Sequence, residues 1–263
     1  MPSWNDPGYS RRDEYRSGRS GGYAEELAYD RGRDYAARPA LSEARVAFIR
    51  STYAHLAGAL LAFIALEALL LQVVTPNAVI GLMGGGSPFG FLFVLGAFMV
   101  ASWVAQMWAR SETSTALQDA GLGLYVVAEA LIMLPLLYIA QHYSDPSLIP
   151  TAGILTLCVF GGLTASVFVT GKDYSGLYPI LMVGSLVALG VIVAACLFGF
   201  HLGLFFSLAM VVLLAGYILY ETSNIMLHHR TDMPVAAALM LFSSVATMFW
   251  YILRILMELN RGR

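Results

Sequence analysis

The sequence has very few charged side chains for its length. Of its 263 residues, 12% are charged and 58% are hydrophobic, whereas soluble domains carry charge on about a quarter of their residues. The charges are also concentrated at one end. Residues 1–45 hold eight arginines and eight acids, and the rest of the chain holds only seven basic and nine acidic side chains. So few charges cannot cover a soluble fold, and the composition predicts a membrane protein.

Other residues and patterns are missing, and each absence excludes a class of function. Lys172 is the only lysine and lies between apolar runs, so no lysine in the last span can form a retinal Schiff base. The histidines form no HxxxH or HExxH pattern, which a membrane zinc hydrolase needs; they are His55, His142, His201, His228 and His229. No glycine-rich phosphate loop and no basic stripe is present. We therefore expect no enzyme activity, no cofactor, no metal site and no nucleic-acid partner.

The N-terminal segment has almost no aliphatic residues. Residues 1–45 are rich in Gly, Arg, Tyr and acids, and they contain no apolar core of a signal peptide. A segment of this composition cannot bury a core. We predict a disordered cytoplasmic tail over 1–45 and a membrane domain over 46–260.

Seven apolar stretches remain, and each is long enough to cross a bilayer. The hydrocarbon core is about 30 Å thick, which takes about 20 helical residues. The predicted spans are 47–74, 88–109, 120–141, 149–170, 177–199, 203–224 and 235–257. The fold class is therefore an all-α integral membrane protein with seven transmembrane helices.

Lysine and arginine predict the orientation. Arg45 and Arg50, the loop after Arg110, the loop with Lys172 and the loop with Arg230 alternate with loops that contain neither residue. Cytoplasmic connections carry the excess of basic residues, so the N-terminus and these three loops are expected in the cytoplasm. An arginine-rich tail without a targeting signal favours the inner (plasma) membrane of a bacterium.

The end of the chain departs from this rule. A seventh crossing places Arg254, Arg261 and Arg263 outside. Two alternatives remain: the last helix crosses in spite of these charges, or it turns back and leaves the C-terminus inside. We favour the crossing helix.

Ionisable side chains inside the spans are the candidate functional residues, because each costs at least about 2.5–3.5 kcal/mol near the bilayer centre. Glu129 lies at mid-bilayer in the third span, so it is protonated, paired or facing a water-filled cavity. Glu221 lies near the cytoplasmic end of the sixth span. It is either an interfacial carboxylate or a gate at the inner mouth of an ion path.

Two residues of the first span are secondary candidates. Glu67 lies near the outer surface and either faces an external vestibule or reaches the headgroups. His55 lies near the inner surface among apolar residues. A hydrogen-bonded packing role is the main interpretation of His55, and a place in an ion path is the alternative.

The last two spans carry the most distinctive pattern. The sixth ends in YILYETSNIM, the loop LHHRTDMP follows, and the seventh reads AALMLFSSVATMFWYILRIL. These segments resemble the closing signature of the Bax inhibitor-1 family, and VTGKDYS at 169–175 resembles that family's loop between its fourth and fifth helices. The resemblance covers residues 45–260. It implies seven helices, with six wrapped around a central C-terminal helix.

The resemblance also implies a function. Prokaryotic members of the family are described as pH-sensitive calcium leak channels, in which an aspartate pair from the sixth and seventh helices holds the pore shut and an arginine after the second helix latches the pair. At the matching positions this chain has Glu221 and Arg110, while the seventh-helix aspartate falls on Ser244 and the following asparagine on Thr247. Calcium or protons are the implied ions.

Ser244 is a departure from the family pattern. Two neighbouring carboxylates share a proton and titrate as a pair, and a glutamate with a serine cannot do so. We expect Ser244 to hydrogen-bond Glu221, with the pH switch altered or lost. Arg110 is the favoured charged partner of Glu221, and Glu129 is the alternative.

Two functions are therefore carried forward. The first is a calcium-leak protein of the lipid bilayer, gated near Glu221 with Arg110 as the counter-ion. The second is a non-conducting regulatory protein that binds a membrane AAA protease, as some bacterial members of the family are said to do, or another membrane partner. The tail at 1–45 suits such docking.

Overall fold

The structure is a computed structural model that describes residues 42–261. Its regular elements are all helical over this range. The α-helices are α1 (Glu43–Val73), α2 (Pro76–Leu82), α3 (Pro88–Ala109), α4 (Thr115–Tyr143), α5 (Leu148–Thr170), α6 (Tyr178–Phe198), α7 (Leu204–Leu227) and α8 (Pro234–Arg261). The all-α prediction is confirmed. Most of the tail lies outside the described residues, so its disorder and the boundary between 1–45 and 46–260 stay predictions.

All of these helices except the short α2 are long and apolar enough to cross a membrane. The predicted ends differ from the observed ones by no more than five residues, and the largest difference is at the start of α4. There the helix begins in a polar turn, where the Ser114 hydroxyl accepts the Leu117 N–H. Helices extend past the apolar core when such caps satisfy their first N–H groups. Hydropathy alone does not detect this extension.

The helix α2 is a difference from the predicted loop over 75–87. Thr75 caps it by accepting the Ala78 N–H, and Pro76 occupies its first turn. Proline is favoured there because its fixed φ suits a helix and no N–H is lost.

Polar contacts identify the two ends of the helix bundle. At one end Arg45 donates to the main-chain carbonyls of Ile225 and His229, which places the start of α1 against the end of α7. At the other end Arg254 Nη2 donates to the Leu202 carbonyl at 2.6 Å. We call these the Arg45 end and the Arg254 end.

The helix α8 is the most deeply buried of the long helices. Of its apolar stretch 72% is buried, against 56% for α4 and 22% or less for the others. It packs against α3, α4, α5 and α7, and Phe242 makes ring contacts with Phe63 of α1 and Tyr125 of α4. It runs without a break to Arg261, as expected for the alternative in which the last helix crosses.

A glycine marks a close approach between α3 and α4. A Cβ atom on Gly121 of α4 would lie 2.6 Å from both the Ala105 carbonyl oxygen and the Ala109 nitrogen of α3. Both alanines are buried, at 0% and 1% exposure. Because these neighbours are backbone atoms, a side chain at 121 separates the two helices.

We therefore expect Gly121→Ala to lower the thermal unfolding temperature of the detergent-purified protein, since overpacking costs about 1–3 kcal/mol. Circular dichroism measures the shift. Gly123→Ala is the matched control, because a Cβ atom there meets nothing within 4 Å and alanine gains helix propensity. Equal shifts in the two variants would contradict the close approach.

Candidate functional site

A buried hydrogen bond joins Glu221, near the end of α7, to Ser244 of α8. The Ser244 hydroxyl donates to Glu221 Oε1 at 2.9 Å, as expected from the sequence, and each side chain is 6% exposed. The other oxygen, Glu221 Oε2, has no hydrogen-bond partner within residues 42–261. An unpaired carboxylate oxygen is costly inside a membrane. The contact therefore retains an acceptor that a proton or a cation can take.

The local sequence explains why the two residues meet. The connection between α7 and α8 is short, so the helices run antiparallel and pack along their length. Thr222 and Ser223, which follow Glu221, are fully buried. Small side chains let helix backbones approach closely in a membrane, and this approach brings Ser244 within hydrogen-bonding distance of the carboxyl.

At nearly the same level of α8, one residue nearer the Arg45 end, a second, part-buried hydrogen-bonded layer links α8 to α4. The Tyr125 hydroxyl and Ser243 Oγ are 2.7 Å apart, and Tyr125 is 4% exposed. Consecutive serines of α8 therefore contact different helices. Thr247 donates to the Ser243 carbonyl of its own helix at 2.8 Å, which orients its hydroxyl beside this layer.

A cavity of about 620 Å³ begins at this layer and extends toward the Arg254 end. Tyr125, Glu129 and Ser243 line it toward the middle of the bundle, Thr247 lies along its wall, and Arg254 lines it at the Arg254 end. We call these two parts its deep end and its mouth. Glu129 is 3% exposed, and its Oε2 has no hydrogen-bond partner in the described part of the chain. Glu129 thus lines a cavity, while its protonation, pairing or contact with water stays a prediction.

The structure places Glu67 differently from either sequence interpretation. Its side chain is 5% exposed and belongs to the buried face of α1 with Phe63, so it neither reaches the headgroups nor lines the cavity. Neither carboxyl oxygen has a partner among residues 42–261. It interacts electrostatically with Glu129. Glu67 stays a secondary candidate, now on the interior side of α1.

The two predicted partners of Glu221 are not in contact with it. Arg110 is exposed at the end of α3, and no hydrogen bond or ion pair over 42–261 joins it to Glu221. Arg110 follows α3, which packs mainly against α4. Hydropathy does not predict which neighbour a helix packs against. Glu129 also makes no direct bond to Glu221; Tyr125 interacts with both carboxyls.

His55 lies apart from the Glu221–Ser244 contact. Its Nδ1 is 2.7 Å from the Ser51 carbonyl oxygen, and its Nε2 is 3.7 Å from Asp119 Oδ1. These contacts agree with the interpretation of His55 as a hydrogen-bonded packing residue.

A polar cluster at the Arg45 end, which the sequence analysis missed, fixes the end of α7. His228 Nε2 donates to Asp173 Oδ2 at 2.7 Å, and the Ser223 hydroxyl donates to Asp173 Oδ1 at 3.4 Å. The N–H of Ser175 holds the pKa of Asp173 down at about 2, with His228 contributing. We call Asp173, Ser223 and His228 the α7 latch. Asp173 is 50 residues from Ser223 and 55 from His228 in sequence, so the VTGKDYS motif that contains Asp173 is the one sequence signal for this cluster.

Removing the carboxylate charge of Asp173 is expected to weaken the attachment of the end of α7 and so to destabilise the protein. We expect Asp173→Asn to lower the thermal unfolding temperature at pH 7 by about 1–3 °C. Because folding depresses the pKa of Asp173 from 3.8 to about 2, its contribution is present above about pH 4 and is lost as the pH falls through 2. The difference between variant and parent should therefore shrink between pH 5 and pH 2.

Asp145→Asn is the matched control for that measurement. Asp145 also accepts an N–H two residues on, from Ser147 at 2.9 Å, and its pKa is lowered mainly by that bond. It has no side-chain partner on another helix within the described range. An equal effect of both substitutions would show that the turn, and not the bond to α7, is what matters.

Comparisons with known proteins agree with this architecture. The sequence model of a family described as inhibitor of apoptosis-promoting Bax1 matches residues 45–261, which include nearly all of α1 and the whole of α2 to α8. The chain is 29% identical over 224 residues to the BI1-like protein of Arabidopsis thaliana, covering 82% of each chain. It is 26% identical over 226 residues to Protein LIFEGUARD 3 of the same plant, covering 83% of this chain and 87% of the relative. It is 26% identical over 265 residues to Protein LIFEGUARD 4, also from Arabidopsis thaliana, covering 97% and 98%.

Proposed function

Because the chain belongs to the Bax inhibitor-1 family of multi-pass membrane proteins, we propose that it is a calcium-leak protein whose path is closed by the Glu221–Ser244 contact. The observation that carries the proposal is the buried bond from the Ser244 hydroxyl to a carboxyl that keeps one unpartnered oxygen. In this assignment Glu221 attracts the cation and Ser244 holds the carboxyl in its closed position.

The interior of the bundle supports a path on one side of this contact. The cavity runs from near Arg254 to Tyr125, Glu129 and Ser243. Calcium takes oxygen ligands, and carboxylates are the strongest of these in proteins. Glu129 lines the cavity, Glu221 lies in the closing contact, and Tyr125 interacts with both carboxyls, so the two acids are placed to attract a cation in succession.

The other side of the contact is packed closed. Phe242 is fully buried between Phe63 and Tyr125, and Thr222 and Ser223 fill the space beyond Glu221 at 0% exposure. A permeant ion needs these layers to separate. The described conformation therefore corresponds to a closed state of the proposed path.

We propose that the Arg45 end faces the cytoplasm of a cell whose plasma membrane holds the protein. Arg45, Arg50, Arg110, Lys172 and Arg230 all lie at this end. The positive-inside rule favours this orientation, although Arg254 lies at the opposite end. In this orientation the cavity opens to the outside and the closing contact lies on the cytoplasmic side.

The experiment that tests the proposal is calcium efflux from liposomes containing the purified full-length protein, followed with a calcium-sensitive dye. We expect efflux above that of protein-free liposomes, and an increase of about tenfold in Ser244→Ala, because a hydrogen bond to a charged group contributes about 1.5–3 kcal/mol. Ser166→Ala is the matched control, since Ser166 is an exposed membrane-helix serine that bonds only its own helix.

The outcomes separate two parts of the proposal. No efflux above protein-free liposomes from the parent or from Ser244→Ala contradicts conduction and favours the alternative of a non-conducting regulator of a membrane partner. Efflux from the parent that Ser244→Ala leaves unchanged keeps conduction and contradicts the role of Ser244.

A further inference from the structure

We infer that the cavity between Glu129 and Arg254 is a binding site for a small hydrophobic ammonium cation, with the Glu129 carboxylate as its counter-ion. This site is separate from the Glu221–Ser244 contact. The inference does not depend on ion conduction, because it concerns binding at equilibrium from the Arg254 end.

The size and walls of the cavity suit an organic molecule. Its volume of about 620 Å³ falls within the range of roughly 300–1,000 Å³ that small-molecule sites occupy. Aromatic and aliphatic side chains form most of its wall, among them Phe98, Ile132, Leu136 and Trp250. Such sites combine apolar walls with a few polar groups that fix the orientation of the ligand.

Glu129 supplies the polar group at the deep end. It is 3% exposed, lines the cavity, and has an Oε2 atom that no group in residues 42–261 hydrogen-bonds. Tyr125 lies beside it and interacts through its hydroxyl with both Ser243 and the Glu129 carboxyl, which leaves Oε2 as the unpartnered oxygen. A buried carboxylate in apolar surroundings gains most from a cation that brings N–H donors and its own apolar surface.

Arg254, the arginine that lines the cavity, lies far from Glu129. Arg254 is bonded through Nη2 to the Leu202 carbonyl near the mouth. It follows Ser243 by eleven residues on α8, which corresponds to roughly 16 Å along a helix. His201 lies in the same short connection as Leu202, also near the mouth. The negative deep end and the positive mouth therefore orient a cation with its charge inward.

The chemistry of the wall favours an organic ammonium over a tightly held metal ion. Calcium takes six to eight oxygen ligands, whereas the side chains of the deep end offer fewer, the two oxygens of one carboxyl and the hydroxyls of Tyr125 and Ser243. An ammonium needs only one carboxylate, and an aromatic ring of the wall such as Tyr125 adds cation–π attraction when the cation lies within about 6 Å of it.

The test compares two probes of the same shape, 4-phenylbutylamine and the uncharged 4-phenylbutan-1-ol, by titration calorimetry with the purified full-length protein in detergent. The alcohol corrects for partition into the micelle. We expect the amine to bind at least about tenfold more tightly than the alcohol, as a charge-assisted hydrogen bond to a buried carboxylate implies.

Two variants test whether the Glu129 carboxylate causes the preference for the amine over the alcohol. Glu129→Gln should abolish the preference for the amine, whereas Glu67→Gln should retain it, because Glu67 is equally buried and unpaired but does not line the cavity. A preference that survives in Glu129→Gln, or that is absent from the parent, would overturn the inference.

A measurement on the parent chain keeps the test decisive if Glu129→Gln fails to fold. Cys196 lines the cavity, whereas Cys158 is exposed on α5 away from it. The amine should slow modification of Cys196 by N-ethylmaleimide, read by mass spectrometry, and leave Cys158 unaffected. Equal rates at Cys196 with and without the amine would also overturn the inference. Because no ion gradient is used, either result is independent of calcium efflux.

Discussion

Glu221→Gln is expected to reduce calcium efflux from proteoliposomes by about tenfold or more at pH 7. The amide oxygen can still accept the Ser244 hydroxyl, so the contact between α7 and α8 is preserved while the negative charge is removed. Attraction between a carboxylate and a divalent ion in a partly buried path exceeds 1.4 kcal/mol at an effective dielectric constant near 20, and each 1.4 kcal/mol is a factor of about ten. The initial slope of the dye signal, at matched protein content, measures the effect.

Glu258→Gln is the matched control for this variant. It makes the same change of carboxyl to amide on α8, but at an exposed position near the end of the helix. Efflux from this variant should equal that of the parent. If Glu221→Gln conducts as well as the parent, Glu221 does not attract the permeant ion; if both variants lose efflux, the loss comes from reconstitution and not from the charge.

The second large effect is expected when an acid is placed opposite Glu221. Ser244→Asp should make calcium efflux rise by about tenfold or more between pH 5 and pH 8. Ser244 Oγ is 2.9 Å from Glu221 Oε1, so the new carboxyl would lie close enough to share one proton with Glu221 and titrate with it as a pair. At low pH the shared proton holds the two groups together. At high pH both are charged, repel each other and attract calcium.

Ser244→Asn separates charge from shape in that experiment. Asparagine has the size of aspartate, can still hydrogen-bond Glu221, and does not titrate. Its efflux should vary with pH no more than that of the parent, in which Glu221 is the only carboxyl of the contact. A flat profile for Ser244→Asp would show that the two positions do not form a pH-sensitive pair in this protein.

The sequence predicts the helices well because their signal is local. Twenty apolar residues in a row define a span, so all seven long helices were found with errors of a few residues at their ends. The short α2 was missed because its capping residue Thr75 and its proline also suit a turn. The contact between Glu221 and Ser244 could be predicted from the sequence, because both residues lie in recognisable motifs of two consecutive antiparallel helices.

The remaining contacts depend on how each helix is rotated about its own axis, which hydropathy does not report. The helices α1 and α3 have no distinct polar face, so nothing in the sequence shows that Glu67 faces the interior or that Arg110 faces away from Glu221. Arg45, not Arg110, is the arginine that contacts the end of α7. The Tyr125–Ser243 bond joins residues 118 positions apart and leaves no local pattern.

The adjacency of Ser243 and Ser244 has a consequence for the motion of α8. One serine is bonded to Tyr125 of α4 and the next to Glu221 of α7, and neighbouring positions on a helix are about 100° apart around its axis. A rotation that carries Ser244 away from α7 also displaces Ser243 from α4. In the proposed opening the two bonds would therefore be released together, and α8 would move between discrete positions. Single-channel currents would then be all-or-none steps with steep temperature dependence, since two interior hydrogen bonds break in one event.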